Sequence, residues 1–176
     1  MIELIEYGDF MCPRCRNTRQ LLLTLLKIFS GQIQYTYRHF PNPSNSESWL
    51  AAVAAEAAGM QGQFDPMYQA LFTQRSLQTG GLSELAFRLG LDVKRFLADL
   101  QDEQVYHSIE ADRRAGYQLG IQTTPTLVIE GQRFYGSLTL ARLSPFIRHH
   151  IRRKSSSIFN IIDPKTGLVR WADDAL

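Results

Sequence analysis

Cys12 and Cys15, in the stretch Met11-Cys12-Pro13-Arg14-Cys15, are the chain's only cysteines. A strand-like run, Ile2 to Tyr7, leads into them, and a leucine-rich helical pattern, Gln20 to Phe29, follows. The cysteines therefore fall on a strand-to-helix turn, with Cys12 at or near a helix N-terminus. The first turn of a helix carries unpaired N–H groups and the positive end of the macrodipole. Both favour a thiolate over a thiol. A second thiol one turn away can attack a mixed disulfide formed at the first. The chemistry this spacing offers is thiol–disulfide exchange.

Two plainer readings stand beside it. The pair could be inert core residues, or half of a metal site. A structural zinc site wants four ligands, usually as two close pairs. The other candidates, His39, His107, His149 and His150, have no such paired spacing. A Cys-x-x-Cys beside a β/α pattern favours the redox reading, so neither metal nor cofactor is expected.

Composition narrows the field further. The chain has 176 residues, 44% of them hydrophobic, which suits one globular domain with room for an insertion. A net charge of +2 is too small to argue for nucleic acid. No apolar run approaches the roughly 18 residues of a membrane span, and membrane contact is not expected. Five basic residues and no acid lie between Arg142 and Lys154; such a run is most simply a solvated helix face. Met1 runs straight into a strand, so the sequence as given reads as cytoplasmic, or as periplasmic if a signal peptide was trimmed. Two cysteines that can pair fit either compartment.

The elements that must position the pair follow from periodicity. Residues 2–7 read as a buried strand interrupted by Glu3 and Glu6, and Gly8-Asp9-Phe10 as a loop. Pro13 fits a first helical turn, and Leu21, Leu22, Leu25, Leu26 and Phe29 form a core stripe over a helix at 13–29. Ile33 to His39 alternates as a second strand. From Ser46 to about Leu119 only helical patterns occur. Ser44 and Glu47 have capping-box spacing, Gly80-Gly81 reads as a break, Gly90 as a helix-ending glycine and Asp92 as an N-cap. Thr126 to Glu130 and Gln132 to Tyr135 read as a hairpin turning at Glu130-Gly131, and 139–151 as a closing helix. Ser155-Ser156-Ser157 reads as a linker to a small hairpin, Ile158 to Ile162 with Leu168 to Trp171, around an Asp-Pro-Lys-Thr-Gly turn.

Leu4 to Cys15 resembles the active-site segment of DsbA-like thiol–disulfide oxidoreductases, and Thr123-Thr124-Pro125-Thr126 resembles their cis-proline loop. Ala51 to Met60, Phe64 to Phe72 and Leu89-Gly90-Leu91-Asp92 look like their helical insert. The resemblance spans about residues 2–150. It implies an α/β, thioredoxin-like fold with an inserted all-helical subdomain, plus a C-terminal hairpin-like tail. The implied units are 1–43 with 120–151 as the thioredoxin-like domain, 44–119 as the helical subdomain and 152–176 as the tail.

The resemblance also assigns roles. Cys12 is the exposed nucleophile and Cys15 the buried resolving thiol. Thr124 and Pro125 carry a cis bond facing Cys12, where substrate backbone adds as a strand, and Pro13 and Arg14 flank the same surface. Glu6 falls where the family has a buried acid, which could shuttle a proton to Cys15 if burial raises its pKa. Arg14 stands where the best-known oxidants have histidine; its charge favours a thiolate but opposes the helix dipole. The implied partners are protein thiols and disulfides together with an unidentified recycling partner. Two further readings are a chaperone-like module with a regulatory disulfide and a glutathione-using enzyme of the kappa-type branch. The latter usually has a single catalytic serine or cysteine, so the intact pair argues against it.

Overall fold

A computed structural model describes residues 1–74, 77 and 79–159 of the chain. Four strands form one sheet in the order β2-β1-β3-β4. They are β1 (Ile2–Gly8), β2 (Ile33–His39), β3 (Thr126–Ile129) and β4 (Gln132–Phe134). β1 pairs with β2 in parallel and with β3 antiparallel; β3 and β4 close an antiparallel hairpin. Its turn is Glu130-Gly131, both at positive φ, as a two-residue hairpin of this twist requires. The parallel β1–β2 pair needs a crossover, which α1 (Pro13–Ile28) supplies.

Alternation along β1 decides what lies beneath the cysteines. Ile2 and Leu4 face a core built with Leu22 and Leu25 of α1, with Phe29 that caps its C-terminus, and with Leu143 and Ile147 of the last helix. Glu6 has the same parity as these two residues and so shares their face. Tyr7 points the other way, into a cluster with Phe40, Ile121 and Val128. On the neighbouring strand Tyr35 stands opposite Leu4 and Tyr37 opposite Glu6.

Between β2 and β3 the chain forms α2 (Ser46–Gly59), α3 (Phe64–Leu71), α4 (Thr79–Arg88), α5 (Val93–Asp99) and α6 (Glu103–Gln118). Their shared core takes in seven buried residues of α2, all alanine or valine, and it also includes Phe10 and Cys15; Ser48, buried on the same helix, lies outside it. The helical segment is thus packed against the Cys12–Cys15 turn itself. Asp112 of α6 ties it to the end of β2, accepting from Arg38 Nη1 at 2.6 Å and from the His39 N–H at 2.9 Å. Gly116 of α6 leaves the space for this approach, since a Cβ there would sit 2.8 Å from Phe40 Cε2.

Several sequence expectations are corrected. The cap of α2 is Asn45, whose side chain accepts from the Glu47 N–H at 2.9 Å, and not Ser44. Ser44 is taken up in a turn in which its N–H donates to Asn42 Oδ1. Gly80 and Gly81 do not break the chain: they lie in the first turn of α4, where N–H groups have no intrahelical partner anyway. The closing helix α7 runs Leu140–Phe159 and absorbs the three serines read as a linker. Ile158 and Phe159 are therefore helical rather than the start of a hairpin; the rest of that reading falls on residues 160–176, outside those described. Near its C-terminal end Lys154 Nζ reaches Glu130 Oε1 at 2.9 Å and the Met1 carbonyl at 3.0 Å, anchoring the extra turns to the sheet. No helix among the described residues is long and apolar enough to cross a membrane.

Candidate active site

Cys12 is the N-cap of α1, with an extended backbone and Pro13 at the first helical position. Its carbonyl accepts the first helical bond, from the Arg16 N–H at 3.2 Å. Cys15, one turn in, points inward and is fully buried, whereas Cys12 is half-buried; both are free thiols. Pro13 and Arg14 between them are exposed.

The two sulfurs have opposite electrostatics. The Cys12 thiol is lowered to about 4, chiefly by a hydrogen bond from the Cys15 side chain. Partial burial opposes this, and the Thr124 side chain and the N–H groups of Cys15 and Arg14 add to it. Cys15 is pushed up, first by burial and then by the neighbouring Cys12, with the charge of Glu6 contributing in the same direction. One cysteine is held as a thiolate and the other as a thiol.

The Thr124–Pro125 bond is cis. It brings the Thr124 carbonyl oxygen to 3.5 Å from Cys12 Sγ. Arg14 Nη2 donates to Thr123 Oγ1 at 2.6 Å, tying the Cys-x-x-Cys turn to that loop from the outside. The guanidinium is therefore spent on the loop, and Arg14 reaches the Cys12 sulfur through its backbone N–H instead. Pro125 is buried and Thr124 half-buried.

Below the pair sits Glu6, 1% exposed, accepting from the Tyr35 hydroxyl at 2.5 Å. Tyr35 and Tyr68 share a hydrogen bond at 3.1 Å. Burial raises the Glu6 carboxyl to about 7, against the lowering effects of Tyr35, Tyr68 and the charge of Arg19. Glu6 is thus a buried acid and not a strand residue facing solvent. Tyr35 and Tyr37 form the polar and aromatic surroundings of that acid; the Tyr37 ring packs against Phe10, His39 and Tyr68.

Asp9 escaped the sequence reading as a loop residue. It is 5% exposed, and its carboxylate accepts from the Met11 N–H at 2.9 Å, the Asn42 N–H at 3.2 Å and Ser48 Oγ at 2.9 Å. It bolts the turn before Cys12 to the β2–α2 loop and to α2. The only sequence hint was its place beside the cysteines; its donors lie up to 39 positions away. Around Cys12 a groove of about 610 Å³ is bounded by Pro13, Arg14, Asn42, Tyr117 and Thr123-Thr124. Among the described residues no cluster of histidine, cysteine and acid side chains could hold a metal ion.

Solved structures share this architecture. A thioredoxin-like oxidoreductase from Silicibacter pomeroyi DSS-3 superposes with a TM-score of 0.76 at 24% identity, over 86% of this chain and 87% of that one. The thiol-disulfide exchange protein alpha-DsbA2 of Wolbachia pipientis gives 0.75 at 21% identity, over 85% and 81%. BdbD of Bacillus subtilis, in its oxidised form, gives 0.75 at 19% identity, over 86% and 88%. Among curated proteins the chain is 37% identical, over 137 residues, to the Na(+)/H(+) antiporter NhaA of Herminiimonas arsenicoxydans, covering 77% of this chain and 22% of the antiporter. It is 36% identical over 145 residues to NhaA 1 of Salinispora arenicola, covering 81% and 22%. The chain thus spans under a quarter of the length of these relatives. The model of the family described as Thioredoxin matches residues 2–149, which include both cysteines, the cis-proline loop and all four strands, and the chain belongs to that family.

Proposed function

We propose that this chain is a protein thiol–disulfide oxidoreductase that works through Cys12 and Cys15. One observation carries the reading: a half-exposed Cys12 at a helix N-terminus lies beside both a buried Cys15 and the Thr124 carbonyl. In the oxidised enzyme a client thiolate attacks the Cys12 sulfur. The Cys12–Cys15 bond breaks, a mixed disulfide forms at Cys12, and Cys15 leaves with the electron pair. Cys15 must take a proton, because burial disfavours its thiolate; Glu6, held near pH 7 and beside it, is the group suited to give that proton. A second client thiolate then attacks the client sulfur and expels Cys12 as a thiolate. The client dithiol is oxidised and the enzyme pair reduced.

Thr124 and Pro125 serve as the substrate platform. The carbonyl of Thr124 is positioned to accept from a client backbone N–H in strand addition, and Pro125 brings no competing N–H to that surface. Pro13 and Arg14 form the opposite rim. Stabilising the Cys12 thiolate stabilises the reduced enzyme, which makes the disulfide a better oxidant. We therefore place the enzyme on the oxidising side, with protein thiols as clients and a separate oxidant restoring the disulfide. The 1–43 with 120–151 frame carries the redox groups and most of the groove, to whose wall 44–119 adds Asn45, Ser48 and Tyr117.

Equilibration of the pair against a glutathione buffer tests the direction. A potential near about −120 mV supports an oxidant, and one near about −270 mV would make the protein a reductant. Failure of the protein to oxidise a reduced, unfolded client stoichiometrically would remove the exchange reading itself.

A further inference from the structure

A second cavity lies away from the redox groove, between α1 and α3, and shares no wall residue with it. Its volume is about 340 Å³, at the small end of the range for ligand sites. Leu22, Leu26, Tyr35, Phe64 and Tyr68 give it an apolar and aromatic wall, and Arg19 is the cation in that wall.

Arg19 is unusual among the arginines around it. Its guanidinium lies over the rings of Tyr68 and Phe72, at 5.2 and 5.5 Å from their centroids. Its Nη1 is buried with no hydrogen-bond partner among the described residues. No described carboxylate forms an ion pair with it. Asp65 is at the cavity edge but exposed, and Glu6, which feels the charge of Arg19, is hydrogen-bonded to Tyr35 and makes no ion pair with the guanidinium. By contrast Arg16, one turn earlier, donates to two backbone carbonyls. A buried guanidinium N–H left without a conventional acceptor is costly, and the aromatic faces offset this only weakly. The missing element is an anion with planar, two-oxygen geometry, which a guanidinium fork matches.

We propose that this cavity is a binding site for a compact monocarboxylate with an apolar body, its carboxylate paired with Arg19. The wall fixes the rest of the class. Leucine and tyrosine surfaces take a small aliphatic or aromatic group, and the volume excludes anything much larger. A second anionic group would meet Asp65 at the rim. Tyr35 belongs to this wall and its hydroxyl donates to Glu6, so an occupant touches the residue that solvates the buried acid of the redox site.

The test is an amide NMR titration of the full chain with benzoate and with benzamide, its neutral isostere. Binding is read without exchange chemistry, so its failure leaves the oxidoreductase reading untouched. Benzoate is expected to bind saturably and about tenfold or more tighter than benzamide, with shifts at Leu22, Leu26 and Tyr68. Arg19→Gln is expected to erase the preference. Equal affinity for the two probes, no saturable binding, or a preference that survives Arg19→Gln overturns the site. Shifts confined to the Cys12 groove overturn it as well. Should Arg19→Gln fail to fold, the comparison of the two probes on the unaltered chain decides alone. A short peptide with a free C-terminal leucine that binds where benzoate does not would replace the small ligand with a protein terminus and refute the assigned class.

Discussion

Cys12 Sγ lies 3.5 Å from the carbonyl oxygen of Thr124, across 112 positions of sequence. A carbonyl accepts from a thiol but offers nothing to a thiolate, so this contact does not explain the acidity of Cys12. The Cys15 thiol, donating from within the helix, is the larger influence.

Removing that donor should therefore raise the Cys12 pKa. Wild-type Cys12 is expected to titrate near pH 4. In Cys15→Ala the midpoint should move up towards the ordinary thiol range, and in Cys15→Ser, whose hydroxyl can still donate, it should move less. Alkylation rates or thiolate absorbance against pH measure this. An unchanged midpoint in Cys15→Ala would make the helix N-terminus the sole cause.

Arg14 leads to a contrasting expectation. Because its guanidinium holds Thr123 Oγ1 and its N–H serves Cys12, Arg14→Met should leave the Cys12 midpoint within about one pH unit. Its effect should fall on the loop instead, as weaker binding of extended clients. At this exposed site the lost hydrogen bond should cost no more than about 1 kcal/mol of stability. A midpoint rising by several units would return the charge of Arg14 to the centre of the mechanism.

Glu6 links stability to pH. Its carboxyl is raised on folding from 4.5 to about 7. An acid raised in this way contributes stability that is full below its unfolded value and is lost as pH climbs through the folded one. Glu6→Gln keeps an acceptor for Tyr35 and abolishes the titration. Compared in the oxidised state, the variant should match the wild type near pH 4 and exceed it by about 3 kcal/mol at pH 8. Denaturant unfolding at both pH values checks this, and an identical difference at the two would contradict the raised pKa. Turnover should suffer in the same variant, because Cys15 loses its proton source.

Asp9 should prove a structural linchpin. Asp9→Ala leaves the N–H groups of Met11 and Asn42 and the Ser48 hydroxyl without their acceptor. A loss of about 3 kcal/mol is expected, with faster alkylation of Cys15 as the turn loosens. A change in stability below about 0.5 kcal/mol would show that water replaces the carboxylate freely.

What could be read from the sequence was local. The spacing of Cys12 and Cys15, the stripe Leu22, Leu25, Phe29 and the parity of Ile2, Leu4 and Glu6 each express the period of one element, so neighbours in sequence suffice to find them. Even local signals failed where two side chains competed for one task. Ser44 has capping-box spacing, yet Asn42 accepts from its N–H and passes the cap to Asn45. Two glycines looked like a break, yet buried Leu82, Leu85 and Ala86 hold the helix they open. The three serines after Ile151 looked like a linker, yet they continue a helix that Lys154 fastens to Glu130. The tertiary structure alone decided that Tyr35, 29 positions on, donates to Glu6, that Asp9 joins three donors, and that Arg14 turns to Thr123. Each of these depends on strand register and on how helices pack over the sheet. Those quantities are fixed by the whole set of long-range contacts, and no window of sequence contains them.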